Sequence, residues 1–213
     1  MEATTAPRQR ITNAPEQARS FPGESVADPA PLGLAAFALT TFVLSMFNAG
    51  LISSAGEPIV FGLALAYGGV AQILAGMWEF KNNNVFGATA FTSYGAFWLS
   101  FWAFNQFYAD KISDKADLGH AVGLYLIAWG IFTAYMFIAS LRVSVAVSLV
   151  FLLLAATFVV LGIGDSGANE DIVKIGGYLG LATAAAAWYA SFAGVTNKTF
   201  GRVVLPVKEL SGR

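Results

Sequence analysis

Few side chains in this sequence can do chemistry, and the informative ones sit inside long uncharged runs. Glu79 stands near the end of one run, with Gln72 two turns earlier on the same helical face. Asn48 stands in the preceding run and Thr157 in a later one. Thr89, Ser93 and Ser100 recur at helical spacing along one stripe, and Tyr94, Phe97, Phe101, Phe104 and Tyr108 line the neighbouring stripe. These carboxyl, amide, hydroxyl and aromatic groups can hydrogen-bond a small polar solute. In an apolar setting each is costly to leave unpartnered, which makes each a functional candidate. Burial disfavours the charged form of a carboxylate, so Glu79 is the strongest proton-carrying candidate. The competing reading of Glu79 is a boundary residue that reaches interfacial water beside Lys81. The competing reading of the aromatic stripe is packing against core or lipid.

The absences narrow the chemistry further. The chain has no Cys and a single His, His120. Disulfides, iron–sulfur clusters, thiol nucleophiles, thiolate metal sites and paired-His haem therefore drop out. No Lys or Arg lies deep in any run, which removes a buried lysine for a Schiff base. An anionic solute would have to be held by hydroxyls, amides, aromatic edges and helix N-termini. That is weak binding of the kind that conduction needs. There is no Gly-rich phosphate loop and no Ser/His/Asp set. We expect neither an enzyme nor a metal or cofactor site, and the net charge of −1 offers no reason for a nucleic-acid partner.

The elements that must position these residues follow from composition. Of 213 residues, 56% are hydrophobic and only 12% are charged, against roughly 25% charged in soluble domains. That leaves too little polar surface to cover a globule in water, and the lipid bilayer is the medium the chain suits. Six runs are long enough to cross it: Leu32–Ile52, Ile59–Trp78, Val85–Tyr108, Ala121–Leu141, Val143–Ile163 and Ile175–Gly194. Open backbone groups are not tolerated in hydrocarbon, and the runs are too long and too continuously apolar for barrel strands. The predicted fold is all-α, with six transmembrane helices. Residues 1–28 read as a disordered tail with no secretory h-region, residues 29–197 as the membrane domain, and residues 198–213 as a second tail.

An even number of spans puts both termini on one side. Nine of the Lys and Arg residues fall there (Arg8, Arg10, Arg19, Lys81, Arg142, Lys198, Arg202, Lys208 and Arg213), against three on the other side (Lys111, Lys115 and Lys174). The positive-inside rule then makes both termini cytoplasmic. Membrane helices associate through small residues. Gly62, Gly69 and Gly76, the Gly176, Gly180, Ala184 run, and Gly119 with Gly123 are the expected seams.

Three segments carry a resemblance. The first is Asp28-Pro29-Ala30-Pro31-Leu32-Gly33-Leu34, which also reads as a helix start with an Asp cap and proline in the first turn. The others run from Phe86 to Trp98 (FGATAFTSYGAFW) and from Phe200 to Pro206 (FGRVVLP). Together they resemble the acetate uptake transporter family of bacterial succinate–acetate permeases and fungal acetate or ammonia-export proteins, over about residues 28–207. The resemblance implies a plasma-membrane homohexamer of six-helix protomers, each with its own path for acetate or another small carboxylate. It implies a hydrophobic constriction at Phe37, Tyr94 and Leu154, with Tyr94 offering its hydroxyl to the solute, and a size-selecting residue at Ala187. Asp28, Pro29, Pro31 and Gly33 then belong to the entrance motif. Gln72 and Glu79 also match polar positions of bacterial members. Asp28 departs from the family's usual Asn and adds a negative charge near the entrance. Proton-linked carboxylate uptake is the implied activity. Ammonium or ammonia export and acetate sensing without transport are the alternatives.

Overall fold

The computed structural model describes residues 26–210, so the tail expected at the N-terminus lies almost wholly outside the described residues. Six helical rods follow one another: α1 Ala30–Asn48, α2 Ile59–Lys81, α3 Val85–Phe107, α4 Lys115–Ser140, α5 Val145–Ser166 and α6 Glu170–Phe200. No strand occurs among the described residues. Five of the rods are long and apolar enough to span a membrane by length and composition. The sixth, α3, is 23 residues long and carries no charge, but Thr, Ser, Tyr, Trp and a terminal Asn-Gln lower its hydropathy. The protein is a multi-pass membrane protein, and the rod that carries the hydroxyl stripe is uncharged but rich in polar and aromatic side chains.

Short polar residues start the helices. Asp28 accepts from the Ala30 N–H at 2.9 Å, but the N-cap position of α1 falls to Pro29, one residue after the expected Asp28. Asn84, Ser144 and Asn169 cap α3, α5 and α6 by accepting first-turn N–H groups. Asp114 caps α4, and the backbone N–H groups of Asp117 and Ala116 hold its carboxyl below the usual carboxylate range. Helix α6 ends at Gly201 in the left-handed conformation, φ +63°. It spans 31 residues, about 46 Å at helical rise, and so reaches well past the predicted Ile175–Gly194 core.

The rods touch where side chains are small. Helix α6 packs along α1 and α5, α4 along α5, and α2 along α3. Gly177 lies against the α1 backbone at Asn48–Ala49, Gly180 against Ser45 and Gly176 against Leu161. Gly123 abuts Gly162 and Ser166, and Gly33 of the first motif lies under the ring of Phe91 in the second. Past α6 the chain folds back. The Tyr189 hydroxyl donates to the Pro206 carbonyl at 2.8 Å, and Lys208 O accepts the otherwise open Val145 N–H at 2.9 Å.

One expectation fails. Gly62, Gly69 and Gly76 were to share a face, but Gly62 has nothing within 4 Å, while Gly69 packs on Leu99 and Gly76 on Thr92. The reason is a π-helical segment, Ala66–Ala71, inside α2. Its wider turn shifts the helical phase, so a seven-residue spacing that crosses it no longer marks one face.

These contacts predict opposite outcomes for two glycine substitutions. Gly177→Ala drives a methyl into the α1 backbone and should cost about 1–3 kcal/mol. Gly62→Ala should melt no lower than wild type. Thermal unfolding of purified protein in detergent checks both, and equal melting of the two variants would overturn the α1–α6 seam.

Candidate functional site

A cavity of about 560 Å³ opens among α1, α3, α4 and α5. Along α1 it is lined by Phe37, Thr41, Leu44, Ser45 and Asn48, a run that returns to one face every three or four residues. Along α5 it is lined by Leu154, Thr157, Phe158, Leu161 and Asp165. It therefore starts in the middle of the bundle, at Phe37 and Leu154. It climbs about 16 Å to the bundle end that holds the 49–58 connection. Helix α3 adds an aromatic wall of Phe97, Trp98, Phe101 and Phe104, with Ser100 and Asn105. Helix α4 adds Ala121, Val122, Tyr125 and Leu126.

This space exists because α3 and α4 barely meet through their backbones. Large side chains hold them apart and tie them together. Tyr94 lies with ring centroids 5.5 Å from Phe132 and 6.1 Å from Trp129, and Phe97 lies 5.6 Å from Tyr125. The Tyr125 and Ser100 hydroxyls meet at 2.7 Å and share the carbonyl of Phe97.

At the inner end the cavity meets an apolar floor. Phe37, Tyr94 and Leu154 are all buried in one core cluster. The rings of Phe37 and Tyr94 are 5.8 Å apart. Leu154 lies one turn from both Phe151, which is 5.9 Å from Tyr94, and Phe158, which is 5.3 Å from Phe97. Tyr94 does not line the cavity; its ring packs against Phe37 in the core. Its hydroxyl is already engaged. Thr133 Oγ1 donates to the Trp129 carbonyl at 2.7 Å, so across the 2.9 Å contact between Tyr94 and Thr133 the hydrogen must come from Tyr94.

Of the other residues singled out, Asn48 and Thr157 line the cavity. Thr157 donates to the Leu153 carbonyl at 2.8 Å and lies 3.2 Å from the Thr183 hydroxyl. Thr89 and Ser93 are half-buried on α3 away from the cavity, and Ala187 is sealed in the core. Gln72 and Glu79 are also sealed, on α2, a helix that contributes nothing to the cavity wall. The reading of Glu79 as a boundary residue in water is corrected, because the residue is 0% exposed. Asn84, the N-cap of α3, donates from Nδ2 to Glu79 Oε2 at 3.0 Å and accepts from Gly87 N at 3.1 Å. Glu79 thus sits at the positive end of α3, with no room for a side chain at Gly87 and with Oε1 unpartnered.

Sequence reasoning passed over Thr41, Ser45, Trp98, Asn105, Tyr125, Glu57 and Asp165. Extending the helical face of Asn48 back through Ser45 and Thr41 would have found two of them. Glu57 and Asp165 fall in the connections between the predicted runs, where a search for polar residues inside the spans does not reach. They are the only charged side chains of the lining, and among the described residues no Lys, Arg or His faces the cavity. Burial raises the Glu57 carboxyl above its ordinary range.

Comparison with known proteins gives a consistent result. The family model described as the GPR1/FUN34/yaaH family matches residues 11–212. Acetate permease A of Emericella nidulans is 43% identical over 203 residues, covering 89% of this chain and 68% of that protein. The Succinate-acetate/proton symporter SatP of Escherichia coli is 41% identical over 184 residues, covering 86% of this chain and 96% of that one. Accumulation of dyads protein 2 of Saccharomyces cerevisiae is 45% identical, and the chain spans just 64% of its length. A solved structure of the bacterial acetate channel SatP superposes with a TM-score of 0.79 at 39% identity, covering 86% of this chain and 99% of that one.

The hydroxyl relay makes a stability prediction. Thr133→Val leaves the Tyr94 hydroxyl buried without its acceptor and should destabilise the protein by about 1–3 kcal/mol. Thr133→Ser keeps the acceptor and should lose less. Melting in detergent reads both, and a Thr133→Val protein as stable as wild type would break the relay.

Proposed function

Since this chain belongs to the GPR1/FUN34/yaaH family, we propose that it is a permease for acetate and related short carboxylates such as succinate. The observation that carries the reading is the cavity. It is large enough for a small organic acid, ends on an apolar floor, and offers hydroxyl, amide and indole groups with no fixed cation. Such a path binds an anion weakly enough to release it. The vestibule leads to a neck at Phe37, Tyr94 and Leu154, and Ala187 behind the neck tunes the size of solute that passes. Tyr94 serves the carboxylate by turning its hydroxyl away from Thr133.

The relatives named for proton symport favour proton-linked uptake. The two carboxyl candidates sit on opposite sides of the neck: Glu79, sealed at the start of α3, and Glu57, in the vestibule. The excess of Lys and Arg on the side of the termini supports cytoplasmic ends in the cell membrane, with the vestibule facing outward. Exposed apolar residues on α4, Leu124, Ile131, Tyr135 and Ile138, recur on one face and suit self-association as a homohexamer. Native mass spectrometry in detergent reads the copy number, and a monomer there removes that part of the proposal.

Export of ammonium is the second reading, favoured by the relative named Ammonia transport outward protein 2 and by the aromatic wall with Glu57 and Asp165. Counter-flow with labelled acetate and with methylammonium separates the two.

Labelled-acetate uptake into proteoliposomes tests the neck. Leu154→Ala combined with Tyr94→Phe should change the rate or the size of acid carried, and unchanged transport would sink the assignment. The pH profile tests the carboxyls. As pH rises through the elevated Glu57 value, a negative charge forms in the vestibule and anion uptake should fall. Glu57→Gln should hold uptake up at the higher pH, whereas Glu79→Gln should remove proton coupling itself. If both variants keep the wild-type profile, neither group carries the proton.

A further inference from the structure

Past the end of α6 the chain forms a strap across the start of α5, and a groove opens beneath it. The Asn197 side chain sets the bend, donating to the Leu205 carbonyl at 2.8 Å and accepting from the N–H groups of Val204 and Leu205 at 2.7 and 2.9 Å. The Val145 N–H donates to Lys208 O at 2.9 Å, the Ala146 N–H to Val207 O at 3.3 Å, and the Leu210 N–H to Val143 O at 3.0 Å. With the Tyr189 hydroxyl on the Pro206 carbonyl, the strap is tied to both helices. The groove has a volume of about 320 Å³. Its walls include Val145 and Leu149 of α5, Ala186 and Tyr189 of α6, and Val207 and Lys208 of the strap.

Two features of the groove point to its occupant. The first is its shape. Leu149 and Leu152, three residues apart, stand out from α5 at 47% and 49% exposure, while α6 offers Ala182 and Ala186, four residues apart on one face. A leucine ridge beside a low alanine surface leaves a trough that runs from the strap into the hydrocarbon. The second is Lys208. Its φ is +50°, in the left-handed region where a side chain is strained and where Asn or Gly sits more easily. A lysine held there by its own carbonyl on Val145 suggests a use for its ammonium group. The one ion pair among the described residues is Lys174–Asp171, so none of them gives Lys208 a carboxylate. Lys81, Arg142, Lys198 and Arg202 are exposed at the same end of the bundle. The exposed acids there, among the described residues, are Asp28 and Glu209, and neither lines the groove.

We propose that this groove seats one anionic phospholipid of the leaflet on the side of the termini. An acyl chain lies in the α5–α6 trough, and the phosphate meets the Lys208 ammonium. The level is right for a headgroup, because α5 begins at Val145 and Tyr189 stands beside it as an interfacial aromatic. Charge selects lipid over a second copy of the chain. Every copy in one bilayer carries its basic end at the same height, so a neighbour would set cations against Lys208. An anionic leaflet attracts them instead. Such a seat depends on the bilayer and not on the solute carried.

Native mass spectrometry of the full chain in detergent, titrated with phosphatidylglycerol or phosphatidylcholine, tests the seat. The wild type should bind phosphatidylglycerol about fivefold more tightly than phosphatidylcholine, the order of one lysine at an anionic surface. Lys208→Arg should keep that preference. Lys208→Asn suits the left-handed backbone, so without lipid it should melt no lower than wild type, yet it should lose the preference. Ala186→Leu fills the trough and should reduce the bound fraction of both lipids. Equal binding of the two lipids by the wild type, or an unchanged preference in Lys208→Asn, would overturn the seat. Oligomers that Ala186→Leu breaks while lipid binding persists would overturn it too, because a second copy would then fill the groove.

Discussion

A helix in hydrocarbon gains nothing by burying leucine against leucine, because lipid tails already provide that environment. Close approach is what remains, and here glycine permits it. Gly177 and Gly180 let α6 lie against α1, Gly176 lets it meet α5, and Gly123 with Gly162 brings α4 onto α5. Where glycine gives way to Tyr94, Phe97, Tyr125, Trp129 and Phe132, the helices stand apart. The cavity is the consequence. It opens between α3 and α4 because their shared face is built from rings, while seams elsewhere hold the bundle shut.

The same scarcity of solvent governs the polar groups. Among the described residues a single ion pair occurs, the exposed Lys174–Asp171 contact at 3.4 Å. Polar side chains inside the bundle are mostly satisfied by backbone, as in the threonines that return their hydrogens to their own helices. Against that pattern the unpartnered atoms carry information. Glu79 shows how a carboxyl is tolerated without a cation: Asn84 donates to one oxygen and the start of α3 supplies a positive end. That arrangement joins α2 to α3, so Glu79 holds the architecture together whatever proton it carries. The family motifs have structural work as well. Gly33 of the first motif lies under Phe91 of the second, and the Pro206 carbonyl of the third accepts the Tyr189 hydroxyl.

The sequence by itself determined the medium and the fold class, and each of its six runs falls on a helix, although α4 and α6 extend well beyond theirs. Medium and class depend on composition and run length, which are local: uncharged stretches of about 20 residues can only be helices in lipid. The start of α1 was nearly as legible, since Asp28 holds the Ala30 N–H two residues on. It also marked Asn48 and Thr157 and, through a resemblance, Phe37 and Leu154, all of which line the cavity.

Tertiary structure decided the rest, because facing is a relation between helices. The spacing of Gly62, Gly69 and Gly76 promised one seam, and a π-helical turn broke it, a phase shift no periodicity count could see. Gln72 and Glu79 looked like path residues for their polarity and proved to lie on the helix the cavity does not use. Tyr94 looked like a free hydroxyl until Thr133, 39 residues away, was found taking its hydrogen. Thr41 and Trp98 looked ordinary for a membrane helix. Only packing, by denying the hydroxyl and the indole N–H a partner, set them apart.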